Sequence, residues 1–216
     1  MKEFEIATFN PLIARQELEA FRGFLEKEVL DEQTDVLPFF RKHITLSCMI
    51  GTVANLGYFN KYDYAYEFPI HGDFRCDLVV GDEKQNQYLL IEFEDAKRDS
   101  IFYKKKNKVT TVWAERFEEG YSQIIDWFWR IGIMSSTELK IFFDTCTDNV
   151  EYHGLLVIGR DDFLSPTEKE RFNWRRKKTT IDTKFIKCVT YDELFKMLEG
   201  YVVSLELVAS SREIEE

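Results

Sequence analysis

The sequence predicts an α/β fold, in which strands and helices share one compact domain. Segments rich in β-branched and aromatic residues alternate with segments whose apolar residues recur every three or four positions. One stretch, residues 154–159, is almost continuously apolar, which is typical of a central strand covered on both faces. With 216 residues and 44% hydrophobic content, the chain can bury one good core.

The first third of the chain is predicted to be mainly helical. Apolar residues spaced three and four apart over residues 15–30 predict an amphipathic helix. After a break at residues 31–34, Pro38 suits the first turn of the next segment. Residues 39–56 are apolar enough to continue as a helix or as a helix and a loop. We expect residues 1–60 to form an N-terminal helical segment that packs on the rest of the domain.

The remaining elements are expected within a core of residues 61–209, followed by a frayed tail at residues 210–216. Four further strands are predicted outside the hairpin described next, at residues 62–70, 139–143, 151–159 and 185–189. Helices are predicted over residues 113–132, from the capping residue Ser165 to about 178, and from Thr190 to about 207. A basic loop is expected at residues 97–108.

A β-hairpin that carries three carboxylates is predicted over residues 74–96, around a polar loop at residues 81–86. Because side chains alternate along a strand, Asp77 lies on one face of its strand, and Glu92 and Glu94 share one face of the next. Carboxylates about 5 Å apart repel by roughly 3 kcal/mol at an effective dielectric of about 20, a cost that a divalent cation removes. A metal site is therefore one hypothesis, and a solvated strand face is the alternative.

The charge of the chain is unevenly distributed. A formal net charge of -10 and a pI near 5.0 argue against polyanion binding by the whole surface. Basic residues concentrate in two segments that suit a phosphate-tracking groove, although solvated loops have the same composition. The candidate nucleic-acid contacts are Lys104, Lys105, Lys106 and Lys108 in the first segment, and Arg175, Arg176 and Lys177 in the second.

The cysteines and the N-terminus favour a cytoplasmic protein. Four cysteines, Cys48, Cys76, Cys146 and Cys188, show no paired spacing, as expected of free thiols in a reducing compartment. The N-terminus is too acidic for a signal peptide, and no apolar run reaches the ~18 residues needed to span a bilayer. We expect no membrane contact.

The order of these elements, with Asp77 in the second strand and Glu92-x-Glu94 in the third, resembles the core of PD-(D/E)XK nucleases. Three further segments, Gln-Ile-Ile-Asp-Trp at 123–127, Trp-Arg-Arg at 174–176 and Val-Thr-Tyr-Asp-Glu-Leu at 189–194, resemble the nuclease domain of Shedu antiphage defence proteins. The resemblance implies a mixed central sheet flanked by helices. It also implies a metal-dependent endonuclease that hydrolyses DNA phosphodiester bonds in antiphage defence.

The resemblance assigns roles to individual residues. Asp77 and Glu92 become ligands of Mg²⁺ or Mn²⁺, and Gln123 becomes a polar residue close to the metal and the scissile phosphate. DNA is the implied substrate. A homo-oligomer is implied because one active site cuts one strand, and a sensor or regulatory partner is expected to supply the trigger.

The sequence departs from the family pattern at Glu94, where these nucleases usually have a lysine that helps to orient or deprotonate the attacking water. Glu94 can act as a base or as a ligand of a second ion, or its presence can mark lost activity. A lysine three residues on, Lys97, is a candidate replacement for the missing charge. The alternative to an enzyme is a catalytically degenerate nuclease-fold protein that binds DNA or a protein partner without cutting.

Overall fold

The computed structural model describes residues 3–54, 61–72, 74–82, 85–147 and 149–213. The strands within these residues are β1 (Glu5–Thr8), β2 (Lys61–His71), β3 (Phe74–Asp82), β4 (Gln87–Phe93), β5 (Phe102–Tyr103), β6 (Val112–Trp113), β7 (Glu151–Val157), β8 (Thr180–Ile181) and β9 (Lys184–Val189). The α-helices are α1 (Pro11–Phe24), α2 (Leu37–Lys42), α3 (Ile44–Met49), α4 (Glu115–Gly132), α5 (Ser136–Phe142), α6 (Pro166–Lys178) and α7 (Tyr191–Glu213).

A mixed sheet forms the centre of the described chain, with the strand order β1-β2-β3-β4-β7-β9-β8. The first four strands form an antiparallel meander, whereas β4, β7 and β9 run parallel to one another. Strands β5 and β6 pair separately as a short ribbon. The prediction of an α/β fold with a mixed sheet and flanking helices is thus confirmed.

Helices cover both faces of the sheet and bury two apolar cores. The first core lies between the sheet and helices α1, α2, α3 and α7, and it is centred on aromatic residues such as Phe21 and Phe40. The second lies under α4, with Trp127 and Phe117 fully buried. Helix α4 can approach β7 closely because Gly154 lacks a Cβ, which would stand 2.4 Å from Ile124 Cγ2. This close packing sets the position of α4 over the ends of the strands.

Strands β2 and β3 change faces together at one point. Tyr66 packs on the first core while Phe68, two residues later, packs on the second, and their partners Leu78 and Cys76 do the same. Glu67, between them, has a positive φ of 49°, a conformation uncommon for a residue other than glycine. This irregularity re-aims the side chains that precede the end of β2, and it lies beside the candidate site described below.

Several secondary-structure predictions differ from the structure in element type or in extent, and the first two differ for local reasons. The predicted strand at residues 139–143 is helix α5, because Ser135 and Glu138 form a capping box that starts a helix there. Helix α1 begins earlier than residue 15 because Asn10 caps it, and it ends at Phe24. Strand β1 was not predicted.

Other elements also differ in extent from the prediction. Three residues within the predicted loop at 97–108 are buried: Ser100, Ile101 and Phe102, the first residue of β5. The last helix extends to Glu213, and residues 214–216 of the predicted tail lie outside the described residues. The division of the chain near residue 60 also falls outside them and stays a prediction.

Candidate active site

A cleft of about 580 Å³ opens where β4 ends, between the start of β3, the first half of α4 and a π-helical segment at Glu32–Val36. Its walls are strongly charged, and six of the ten residues that line it are acidic. The lining residues are Glu32, Gln33, Glu67, Arg75, Asp77, Glu92, Glu94, Arg116, Glu119 and Gln123. Four of these are the candidate catalytic residues, so the fold brings the residues of the sequence hypothesis together.

The hairpin register sets the two central carboxylates side by side. Leu78 pairs with Ile91, and one further step along the ladder sets Asp77 opposite Glu92. The backbone N–H of Phe93 donates a 2.8 Å hydrogen bond to Asp77 Oδ2. Asp77 is therefore held by the strand that carries Glu92.

Glu92 and Glu94 are buried and Asp77 is half-buried, and burial disfavours the charged form of a carboxylate. It raises the pKa of Asp77 to about 7, with the carboxylates of Glu32 and Glu67 adding to the rise. Burial and the neighbouring Asp77 and Glu94 raise the pKa of Glu92 well above its usual range. The Glu94 pKa rises to about 8, again mainly through burial, although Arg116 opposes this rise.

The Glu92 side chain has an unsatisfied atom that suits a cation. Glu92 is 7% exposed, and its Oε2 has no hydrogen-bond partner among the described residues. No set of three or more His, Cys, Asp or Glu side chains in the described part of the chain forms a complete metal site. Mg²⁺ does not need one, because it usually takes one or two protein carboxylates and fills its octahedron with water and phosphate oxygens. Asp77 and Glu92 therefore fit Mg²⁺ as a partial ligand set.

Glu94 follows the end of β4 and forms an ion pair with a residue that the sequence analysis missed. Arg116, in the first turn of α4, places its Nε at Glu94 Oε2 and its Nη2 at Glu32 Oε2. Glu94 is 4% exposed, whereas the Arg116 side chain is 40% exposed, so only the carboxylate side of this pair is shielded from water. One guanidinium thus connects the end of β4, helix α4 and the π-helical segment.

Two contacts fix the position of Glu94 itself. The Tyr191 hydroxyl donates a 2.6 Å hydrogen bond to the backbone carbonyl of Glu94, and the Glu94 N–H donates to the Val157 carbonyl at 2.9 Å. The side chain lies against Gly120 of α4, where an added Cβ would stand 2.9 Å from Glu94 Oε1. Glycine at position 120 therefore makes room for the Glu94 carboxylate beneath the helix.

Gln123 lies on the wall of the cleft, as the sequence predicts for a residue near the metal. Its amide Nε2 donates to the Arg75 carbonyl at 3.3 Å, which ties α4 to the start of β3. Arg75 in turn pairs with Glu67 at 2.9 Å. A role for Gln123 in catalysis stays a prediction.

Lys97 does not replace the missing lysine. Its Nζ lies 2.7 Å from Asp95 Oδ2 and 3.5 Å from Asp31 Oδ2, and the residue is absent from the walls of the cleft. It lines a neighbouring depression of about 710 Å³ instead, which we call the flanking depression. The flanking depression is lined by Asp95, Lys97, Asp99, Ser100, Tyr103, Ala114, Glu115, Arg116 and Glu119.

The flanking depression connects the cleft to the first basic segment. It shares Arg116 and Glu119 with the cleft, and its lining also includes Tyr103, which directly precedes the run Lys104, Lys105 and Lys106. These three lysines and Lys108 are exposed in the loop between β5 and β6. A path therefore leads from the carboxylates to the lysine loop over Arg116.

The second basic segment is less accessible than its composition suggests. Arg175 forms two hydrogen bonds of 2.6 and 2.8 Å with Glu118, and its guanidinium lies over three aromatic rings of the second core and the β6 ribbon. Arg176 bonds Glu193 at 2.6 and 2.9 Å. Lys177 is exposed on α6. Of these three residues, Lys177 remains the best placed to meet a phosphate.

The sequence carries a helical spacing signal for two of the cleft residues that it did not identify, Arg116 and Glu119. Arg116, Glu119 and Gln123 are spaced three and four apart, so they form a polar stripe on one face of α4, which is the face that carries the predicted site residue Gln123. Glu32 and Glu67 had no such signal. Glu32 comes from a distant segment, and Glu67 reaches the cleft through an irregular strand.

A known protein family matches most of this chain. The profile of the family described as Shedu protein SduA, C-terminal, matches residues 30–195, which is most of the sequence. The chain belongs to this Shedu family. No curated protein matches it. Membership of the Shedu family suggests a role in antiphage defence. In the described part of this Shedu chain, no helix combines the length and the apolar character needed to cross a membrane.

The sequence segments that resembled Shedu proteins have structural roles around the cleft. Thr190 Oγ1 donates to Asp161, Tyr191 donates to Glu94, and Glu193 accepts from Arg176. Asp192 accepts from Arg160 at 2.9 Å. These Shedu segments therefore fasten α6 and α7 to the end of the sheet on which the carboxylates lie.

Proposed function

We propose that this protein is a metal-dependent endonuclease that hydrolyses DNA phosphodiester bonds in antiphage defence. The observation that carries the proposal is the pairing of Asp77 with Glu92 in a charged cleft, where Glu92 Oε2 is buried without a hydrogen-bond partner among the described residues. Family membership supports the same activity class.

Asp77 and Glu92 would hold Mg²⁺ or Mn²⁺, which when bound supplies an activated water and stabilises charge on the phosphate. Phe93 keeps Asp77 beside Glu92 through its backbone hydrogen bond. Gln123 presents its side chain to the same cleft, within reach of a bound phosphate or water. The lysine loop extends the site into a surface that favours the DNA backbone, which is reached over Arg116 and the flanking depression.

The strongly acidic walls support the need for a cation. A DNA phosphate entering this cleft meets the side chains of Asp77, Glu92 and Glu94, and any of them that is ionised repels it unless positive charge is supplied. A divalent ion held by Asp77 and Glu92 would supply it. We also propose that a homo-oligomer brings two sites to the two DNA strands, and that a sensor partner triggers cleavage.

The test is nicking of supercoiled plasmid with Mg²⁺ or Mn²⁺, with and without a chelator. The double variant Asp77→Ala/Glu92→Ala should lose cleavage by at least about a hundredfold, since both ligands of the ion are removed. The matched control is Asp126→Ala/Glu170→Ala, which removes two exposed carboxylates outside the cleft. Chelator-resistant cleavage, or equal cleavage by the two double variants, would overturn the proposal.

A second candidate function is favoured by Glu94. The motif position holds a buried carboxylate that is ion-paired with Arg116, and a degenerate nuclease-fold protein that binds DNA without cutting would fit that substitution. This second hypothesis predicts that the unaltered chain binds DNA and does not cleave it at any divalent metal concentration.

A further inference from the structure

Arg116 occupies an unusual position among the cations of this protein. Among the described residues, only two basic side chains line the cleft, and the other one, Arg75, is paired with Glu67 and is 61% exposed in its side chain. Arg116 instead enters between Glu94 and Glu32, whose side chains are 5% and 15% exposed. It is the one cation lining both the cleft and the flanking depression that the described residues form.

The ion pairs leave part of the Arg116 guanidinium available. Its Nε faces Glu94 and its Nη2 faces Glu32, and Nη1 is the atom of neither of these two contacts. The side chain is 40% exposed, so its outer edge is open to a ligand. A guanidinium has five donors in a planar fork that matches two oxygens of a phosphate, so it can keep its carboxylate partners and still receive a phosphate.

The partners of Arg116 restrict what Glu94 can do. Glu94 is packed under Gly120, held by Tyr191 at its carbonyl, and directed at Arg116 through Oε2. A second cation at Glu94 would have to displace a guanidinium that already neutralises it. The geometry therefore suits Glu94 as an anchor for Arg116 better than as a ligand of a second ion.

We propose that Arg116 is the residue that contacts the reacting phosphate, with Glu94 and Glu32 as positioning residues that hold its guanidinium at the cleft. Arg116 thereby supplies from α4 the positive charge that a lysine at position 94 would have supplied from the motif strand. This inference rests on the proposed nuclease function and adds a phosphate-binding residue to it. A preorganised cation of this kind stabilises the charge that develops on a phosphate during cleavage.

The experiment compares Arg116→Ala, Arg116→Lys, Glu94→Gln and the double variant Glu94→Gln/Arg116→Ala. Arg130→Ala is the matched control, because Arg130 lies on the same helix but bonds His71 outside the cleft. The double variant also removes the buried Glu94 charge that Arg116→Ala would leave unpaired, so it keeps the test open if the single variant fails to fold. Three quantities are measured: Mn²⁺ affinity, DNA affinity with Ca²⁺ in place of Mn²⁺, and Mn²⁺-dependent plasmid cleavage.

We expect Arg116→Ala and the double variant to lose cleavage by about a hundredfold and to bind DNA about tenfold more weakly in Ca²⁺. Their Mn²⁺ affinity should be retained or rise, since a positive charge next to the ligands has been removed. Arg116→Lys should recover part of both losses. Glu94→Gln should reduce cleavage by about tenfold or less, because the amide has nearly the same shape as the carboxylate and Glu32 still pairs with the guanidinium.

Three results would overturn the inference. These are wild-type DNA affinity and cleavage in the Arg116 variants, a loss of Mn²⁺ affinity equal to the loss of cleavage, or a larger loss in Glu94→Gln than in Arg116→Ala. Failure of the nuclease proposal can be distinguished from failure of the Arg116 inference. A chain that does not cut, but whose DNA affinity in Ca²⁺ drops only in the Arg116 variants, lacks the activity and retains the phosphate contact.

Discussion

The hydroxyl of Tyr191 lies 2.6 Å from the backbone carbonyl of Glu94, and both residues are buried. This hydrogen bond connects the first residue of α7 to the end of the motif strand. The position of Glu94, and through it that of Arg116, therefore depends on how α7 docks against the sheet.

Tyr191→Phe tests that dependence. Removing the hydroxyl leaves the Glu94 carbonyl buried without this donor, which should cost about 1–2 kcal/mol of unfolding free energy. Plasmid cleavage should drop by about tenfold because Glu94 and Arg116 lose their fixed geometry. Chemical denaturation and plasmid nicking measure the two effects.

Tyr88→Phe is the matched control for this variant. Tyr88 is also buried, and its hydroxyl donates at 2.8 Å to the Phe143 carbonyl, away from the cleft. Both variants should lose stability, but only Tyr191→Phe should lose cleavage. Equal activity in the two variants would show that the Tyr191 bond is purely structural.

The raised carboxylate pKa values predict that neutralising Glu92 stabilises the metal-free protein at high pH. The pKa of Asp77 is about 7 and that of Glu94 about 8, and the pKa of Glu92 is also well above its usual range. The folded state therefore holds protons that the unfolded chain has released. The stability associated with these groups is fully present below about pH 4 and is lost as pH rises through about 7 to 8.

In chelator at pH 8, Glu92→Gln should therefore be more stable than the unaltered chain by about 1–3 kcal/mol, and the gain should shrink towards pH 5. Thermal unfolding across pH 5–8 measures it. Adding Mg²⁺ should stabilise the unaltered chain and not the variant. Glu170→Gln, which removes an exposed carboxylate, should show no such gain. A pH-independent difference between Glu92→Gln and the unaltered chain would contradict the assignment of the shift to this cluster.

The lysine loop is expected to provide affinity for DNA without affecting the metal. Changing Lys104, Lys105 and Lys106 to Ala should reduce the slope of log affinity against log salt by about one per residue, because fewer counterions are released. Affinity for Mn²⁺ should not change, since the loop and the carboxylates lie on separate elements. Anisotropy titrations at several salt concentrations measure the slope.

The control for the loop is Lys61→Ala/Lys140→Ala, which removes two lysines that line neither the cleft nor the flanking depression. The slope of log affinity against log salt should remain close to that of the unaltered chain in this control. If the triple variant kept the full slope, the loop would be only a solvated turn, and the DNA path would have to be sought along α6 near Lys177.

The sequence by itself determined the hairpin and its carboxylates. Alternation along two strands, joined by a short polar loop, leaves little freedom in which side chains share a face, so Asp77 and Glu92 were predictable as neighbours. The stripe on α4 was also present in the sequence, since residues three and four apart lie on one face of any helix. The sequence-based prediction includes only Gln123 of that stripe.

The tertiary structure alone decided which charges complete the site. Glu32 comes from the layer on the opposite face of the sheet, Lys97 is bound by Asp95 and Asp31, and Arg175 is held by Glu118 and aromatic rings. Arg116 meets Glu94 because Gly120 and Gly154 let α4 approach the sheet closely. Local periodicity sets which face of an element a residue occupies. Which side chain a residue meets on that face depends on how separate elements pack against each other. That packing is set jointly by residues far apart in the chain.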